Sequence, residues 1–379
     1  MPTEPTANPF LEIQRNVAKV DPGALVTLWV NLPPHPPGFT GDLFERFEDF
    51  DFDGDGFLDI DEVERACSDH AVVGNHAAAV ATLRRFQDKL DYHDDVGFDA
   101  HRVSRADLAG FDLQALRDPD DDFIARVQRS YERAKRRIAA APRRVFADDA
   151  QRSLSPIEAR QGLVGDCFFL APLVSLALHH PDRLRSMISR HPRSVHEWTV
   201  AFPKADEPIT VRSPSPAETA LFCHADGLWP ILLELAYGRF HLEIGYWTSS
   251  RYEATLHGGR CRIAIETLTG HDVDLYDTSD RNHLRSVISL AMDHGRIVSA
   301  ESVPKKNPDS HKVEYTDDGI VRRHAYSVLG YDRNDDMLML RNPWGGRRGG
   351  YRDTEMTKGV FWMPLAAVGA NFSGFAVER

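Results

Sequence analysis

Three short stretches carry side chains that could do nucleophilic chemistry together. In Gln161-Gly162-Leu163-Val164-Gly165-Asp166-Cys167-Phe168-Phe169-Leu170, a polar approach with two glycines ends at a cysteine, and an apolar run suited to a helix over 168–178 begins there. A cysteine at a helix N-terminus faces free N–H groups and the positive end of the dipole. Its thiolate is then favoured, and its pKa is expected to fall from about 8.5 toward roughly 3.5–7.5. Taken alone, such a cysteine is more often an inert buried thiol. A thiolate needs a base, and of the seventeen histidines His324 is singled out by its setting. It opens the alternating run His324-Ala325-Tyr326-Ser327-Val328-Leu329-Gly330, which reads as a strand. A polar turn at 332–336 leads into a second strand, Met337 to Asn342, ended by Pro343-Trp344-Gly345.

These elements must place the base and its partner on one face. In a hairpin with a three-residue loop at 332–334, Tyr331 pairs with Asp335 and His324 pairs directly with Asn342. Opposed residues share a face, with Cβ atoms about 4.5–5.5 Å apart. An asparagine there accepts from one imidazole nitrogen and turns the other toward a thiol, the logic of a Cys-His-Asn triad. A two- or four-residue loop without a bulge would send the two side chains to opposite faces. The expectation is an odd loop or a compensating bulge, with Trp344 shielding the His–Asn bond.

A second kind of chemistry is written in Asp51-Phe52-Asp53-Gly54-Asp55-Gly56-Phe57-Leu58-Asp59-Ile60-Asp61-Glu62. Calcium takes six to eight hard oxygens at about 2.3–2.6 Å. The spacing offers carboxylates at Asp51, Asp53 and Asp55, the carbonyl of Phe57, Asp59 through water, and both oxygens of Glu62, with Gly56 at the sharp turn. Phe44, Phe47 and Phe50 lie on one face before it; Val63, Ala66 and Cys67 follow it. The segment resembles the EF-hand family, whose hands come in pairs. A partner is expected at 96–107, with Val103 and Asp107 at its eighth and twelfth positions. Its early positions carry Val96, Phe98 and Ala100, so it reads as a structural hand without an ion, or as a plain turn.

The stretch around Cys167 resembles the active-site run of the calpain family of papain-like cysteine proteases. The strings at 324–328 and 341–345, Leu228 to Tyr237, Tyr252-Glu253-Ala254 and His257-Gly258-Gly259 resemble that core as well. The resemblance implies that Cys167 is the nucleophile, His324 the base and Asn342 its orienter. It implies that the Gln161 amide and the Cys167 N–H form an oxyanion hole, where a donor can be worth about 2.7–4 kcal/mol. It places Glu158 where such cores carry an acidic calcium ligand. Phe168 stands in place of the family's tryptophan. Pro172 falls inside the nucleophile helix and is expected to delay its start or to kink it.

The implied fold class is α+β: a papain-like core, helical plus antiparallel β, preceded by an all-α EF-hand domain. The expected division is a proline-rich tail or linker at 1–40, an EF-hand pair at 41–115, a linker helix within 116–144 and the protease core at 145–379. Over 121–141, Ile124, Val127, Tyr131, Ala134 and Ile138 recur at helical steps. The chain has 379 residues and a net charge of −12, of which ten acidic residues and one basic lie between Asp42 and Glu62. Such local acidity speaks for a cation site and against nucleic acid. No run is long enough for a membrane span. The N-terminus lacks a secretory pattern, and four scattered cysteines without a CxxC pair do not make a disulfide framework or a zinc ribbon, so a cytoplasmic setting is expected. The function implied is a calcium-dependent cysteine endopeptidase acting on protein or peptide substrates, its oligomeric state unspecified. The alternatives are a catalytically silent calcium-binding adaptor and a transglutaminase-like acyl transferase, whose third residue would be aspartate.

Overall fold

The computed structural model describes residues 21–31, 35, 37–90, 102–147, 154, 158–243, 252, 258–307, 312–346, 348–352 and 354–379. The chain divides into two units, one of residues 1–141 with 214–221, the other of 142–213 with 222–379.

The first unit is built from helices. Helix α1 (Pro22–Val30) starts at Asp21, whose carboxylate accepts from the Ala24 N–H at 3.0 Å. Part of the expected tail is therefore helical: an N-cap and Pro22 precede an apolar run that buries Trp29. Helices α2 (Phe39–Phe44) and α3 (Phe47–Phe50) bury Phe44, Phe47 and Phe50 and lead into the acidic loop. The two-residue strand β1 (Phe57–Leu58) and helix α4 (Ile60–Ser68) follow it. Asp59 and Glu62 cap α4 reciprocally, each side chain accepting from the other's backbone N–H. Helix α5 (Gly74–Leu90), strand β2 (Val103–Ser104), and helices α6 (Arg105–Arg117) and α7 (Asp122–Ala139) complete the unit, with a short helix at Pro216–Leu221. Strand β2 pairs with β1, Leu58 opposite Val103. Residues 96–101 of the second loop lie outside the described residues. The helix expected at 121–141 is α7, and Ile124, Val127, Tyr131 and Ala134 are its buried face. It groups with the first unit instead of standing as a linker.

In the second unit helix α8 (Cys167–His179) lies against a sheet. A three-stranded meander, β3 (Ile188–Arg190), β4 (Glu197–Val200) and β5 (Ile209–Arg212), follows α8, then helices α9 (Trp229–Glu243) and α10 (Cys261–Thr269). The main sheet is antiparallel throughout. It joins β6 (Val273–Asp277), β7 (Val298–Ser302), β8 (Ala325–Asp332), β9 (Met337–Arg341), β10 (Val360–Pro364) and β11 (Phe372–Glu378) in the order β10-β9-β8-β7-β11-β6. Helix α11 (Arg281–Asp293) packs Leu284 and Ile288 against it. One core joins α8 to Trp229, Leu232 and Ile265; another joins α11 to Tyr326, Leu340 and Phe361. Helix α8 is polar at two points toward the sheet: the Ser327 hydroxyl donates to the Ala171 carbonyl at 2.8 Å, and Ser175 reaches the Val298 carbonyl at 3.3 Å. Helix α8 starts at Cys167 and runs through Pro172, so its start is not delayed. Among the described residues, no helix is long and apolar enough to cross a membrane.

Candidate active site

The β8–β9 hairpin differs in detail from the expectation. Asp332 pairs with Met337, which leaves a four-residue turn at 333–336, and Leu329 bulges between the pairs Gly330–Met339 and Val328–Leu340. Four turn residues alone would put His324 and Asn342 on opposite faces. The extra residue in β8 restores the parity. Paired residue numbers then sum to 668 beyond the bulge, not 666, so His324 and Asn342 are diagonal neighbours just past the ends of their strands. Diagonal positions stay within reach of long side chains. Here the His324 Nε2 lies 2.9 Å from Asn342 Oδ1.

Asn342 is held at every polar atom. Its Nδ2 donates to the Arg348 carbonyl at 3.1 Å, which fixes Oδ1 as the acceptor, and Oδ1 also accepts from the Trp344 N–H at 3.0 Å. Nε2 of His324 therefore carries the ring proton, and Nδ1 is left with a lone pair. The Trp344 ring centroid lies 4.8 Å from that of His324. Ser302 fixes the backbone of His324: its Oγ accepts from the His324 N–H at 2.9 Å, and its N–H donates to the His324 carbonyl at 2.9 Å. The adjacent Ala325 presents its backbone N–H to the Cys167 thiol. Gln161 donates from its backbone N–H to the Pro343 carbonyl at 2.9 Å, next to Asn342, and from Nε2 to the Val164 carbonyl at 2.7 Å. The structure thus gathers Cys167, His324, Asn342 and Gln161 around the end of one hairpin and the start of one helix.

A family description reading "Calpain family cysteine protease" matches residues 125–356, more than half of the chain. The chain belongs to the calpain family of cysteine proteases. It is 27% identical over 202 residues to Calpain-9 of Homo sapiens, a match covering 49% of this chain and 28% of that protein. It is 26% identical over 262 residues to Calpain clp-4 of Caenorhabditis elegans, covering 59% and 35%. It is 28% identical over 204 residues to the Calpain-2 catalytic subunit of Mus musculus, covering 49% and 27%. The chain spans about a third of the length of these curated relatives.

Electrostatics in this calpain-family core differ from the expectation for Cys167. The residue keeps partial exposure. Desolvation of the sulfur nevertheless pushes its thiol up to about 12, aided by the Asp166 and Glu301 carboxylates, against the N–H groups of Ala325 and Phe168. Burial outweighs the helix dipole. His324 is driven the other way, lowered to about 4 by burial, with the Asn342 bond opposing. Both groups are neutral at pH 7. The ring bonds to Asn342 and the thiol is faced by backbone, so thiol and imidazole are not hydrogen-bonded to each other here.

Several supports were not singled out in the sequence. A Cβ at Gly349 (φ +79°) would come within 2.5 Å of Asn342 Nδ2, and one at Gly359 (φ +88°) within 2.5 Å of the Asn342 carbonyl oxygen. Both positions need glycine for conformation and for space. The glycine pairs of 345–350 were the available signal. A Cβ at Gly259 would strike the Phe168 ring, which explains one motif glycine. Ser302 and the buried Tyr326, whose hydroxyl joins the Val321 N–H to the Gly349 carbonyl, carry no such signal. Glu158 pairs with Lys358 Nζ at 2.8 Å.

In the first unit the acidic loop closes on itself. Oxygens of Asp51, Asp53 and Asp55 lie within 4.8 Å of one another. Asp51 accepts from the N–H groups of Gly54, Asp55 and Gly56, and Gly56 takes φ +86°. Leu58 is buried. Three convergent hard carboxylates suit calcium. Glu62 accepts from the N–H groups of Phe52 at 2.6 Å and Asp59 at 3.0 Å, and burial raises its pKa. It would have to release those groups to become a ligand. Phe57 is on β1, Asp59 is the N-cap of α4, and Arg102 forms an ion pair with Asp55.

Proposed function

We propose that this calpain-family chain is a calcium-dependent cysteine endopeptidase. The observation that carries the reading is the His324–Asn342 bond, set beside a cysteine at the first position of a helix. Asn342 holds the imidazole so that Nδ1 is free to take the proton of Cys167. Sγ then attacks the peptide carbonyl, and His324 returns the proton to the leaving amine. Water hydrolyses the acyl-enzyme by the reverse sequence. The backbone N–H of Cys167 and the side-chain amide of Gln161 would stabilise the oxyanion. Because thiol and imidazole are both neutral in this structure, bringing Nδ1 against Sγ is part of the activation, not a pre-existing ion pair. Protein or peptide substrates follow from the family.

Asp51, Asp53, Asp55, the Phe57 carbonyl, Asp59 and Glu62 are the residues that would hold calcium. A bound ion would supply positive charge among carboxylates that otherwise repel. The test is cleavage of casein or a fluorogenic peptide, with and without calcium, by the native chain and by Cys167→Ala. The reading expects calcium-stimulated hydrolysis that the substitution abolishes. Calcium binding with no hydrolysis, or amine incorporation in its place, would contradict it.

A further inference from the structure

Glu301 brings to the edge of the site a carboxylate that the acyl-transfer steps do not use. It lies on β7, half-buried between buried neighbours. In the antiparallel pairing of β7 with β8 it stands opposite Ala325. Ala325 follows His324, presents its N–H to the Cys167 thiol, and joins the core around α8. Opposed residues share a face, so Glu301 leaves the sheet on the side of the nucleophile helix, and its charge acts on the sulfur. Its Oε1 accepts from the Cys261 N–H at 3.1 Å, in the first turn of α10. The buried Cys261 thiol is hydrogen-bonded to the same side chain. The N-cap residue Arg260 supplies no side-chain cap, so Glu301 serves in its place.

Capping accounts for an acceptor here but not for a charge. The side-chain carbonyl of a glutamine would take the same N–H, and the dipole of a nine-residue helix adds only a modest preference for an anion. The charge meanwhile works against catalysis. Together with Asp166 it opposes the thiolate that must form at Cys167. A carboxylate that hinders the empty site helps the filled one when the molecule that fills it brings a cation.

We infer that Glu301 is a specificity-determining residue whose carboxylate selects substrates with a basic side chain close to the scissile bond. This rests on the peptidase reading of the same site. An extended substrate advances about 3.3 Å per residue, so an arginine or lysine within about two residues of the carbonyl at Cys167 can reach the carboxylate. The cation pairs with Glu301 while Oε1 keeps its cap, and the neutralised carboxylate ceases to oppose the thiolate. Recognition and activation are then one event. A substrate that is neutral or acidic at that position meets a site whose own charge is against it.

The experiment uses the full chain with calcium present. Quenched fluorescent peptides carry arginine, citrulline or glutamate in turn at each position near the scissile bond; citrulline keeps the shape of arginine without its charge. Values of kcat/KM are compared between the native chain and Glu301→Gln, which keeps the acceptor for Cys261 and removes the charge. The expected result is a preference for arginine over citrulline of about 10- to 100-fold at one position, expressed in kcat as well as KM, and lost in the variant. Modification of Cys167 by cationic aminoethyl and anionic sulfonatoethyl methanethiosulfonate, followed by peptide mass, gives a readout independent of hydrolysis. The native chain should favour the cationic reagent, and Glu301→Gln should narrow the ratio about tenfold. Equal melting temperatures would assign the change to charge. If the variant melts early, the arginine-to-citrulline ratio of the native chain decides alone. Hydrolysis indifferent to substrate charge would overturn the inference and leave the peptidase reading standing, as would a preference for arginine that survives Glu301→Gln. Hydrolysis of no peptide, with cation-selective modification that depends on Glu301, would sink the peptidase reading and support the cation site.

Discussion

The acidic loop and the β8–β9 hairpin build their sites by opposite means. In the loop, Asp51, Asp53 and Asp55 lie within five consecutive residues, and their carboxylates are set by N–H groups two to five residues away. Much of it faces solvent. In the hairpin, His324 and Asn342 are eighteen residues apart, both buried, and positioned by a bulge, two glycines and Ser302. Cys167 arrives from a helix more than 150 residues earlier. A local site is robust because its geometry is inherited from one turn of chain. A dispersed site depends on packing, and burial, which fixes its side chains, also sets their protonation.

The contrast can be broken by substitution. The largest effect is expected for Cys167→Ala, which should reduce peptide hydrolysis to background, about 10³-fold or more, in a steady-state assay. Asn342→Ala should leave the fold in place but lower kcat, because the ring loses the acceptor that fixes its tautomer. Next come the glycines. Gly359→Ala puts a methyl against the Asn342 carbonyl at a positive φ; urea melts should show a loss of about 1–3 kcal/mol, with a fall in activity. In the loop, Gly54→Ala meets no atom within 4 Å; its cost should be confined to the left-handed backbone, about 1 kcal/mol.

Protonation sharpens the same comparison. His324 is depressed in the folded state to about 4 from 6.5, so its contribution to stability is present above pH 6.5 and is lost as pH falls through about 4. Cys167 is raised to about 12 from 9.0; its contribution is complete below pH 9 and is lost as pH rises through about 12. Melts of the native chain and of His324→Gln between pH 7.5 and pH 4.5 should show the smaller acid loss in the variant. An equal loss would mean that His324 is not buried as a neutral ring.

What was legible in the sequence follows the same division. The convergence of Asp51, Asp53 and Asp55 could be read as a string, because their spacing is a property of one turn. The hairpin could be read in parity but not in register. Alternation and the Asn-Pro-Trp-Gly ending placed His324 and Asn342 on one face, but a bulge at Leu329 leaves no mark in an apolar run. The direction of the Cys167 shift was illegible for a related reason: a helix N-terminus is visible in sequence, whereas the depth at which packing leaves the sulfur is not. Helix α1 was obscured by the surrounding prolines, although Asp21 and Pro22 mark its start.

The central claim is that Cys167 acts with the imidazole that Asn342 holds. Its most direct test is a mass measurement of the intact chain after treatment with an epoxide-bearing peptide probe, with His324→Ala and Asn342→Ala alongside. The account predicts a single adduct on Cys167, formed about 10²–10⁴-fold more slowly without His324 and more slowly without Asn342. An adduct on Cys67, Cys223 or Cys261 instead, or a rate on Cys167 indifferent to His324, would contradict it.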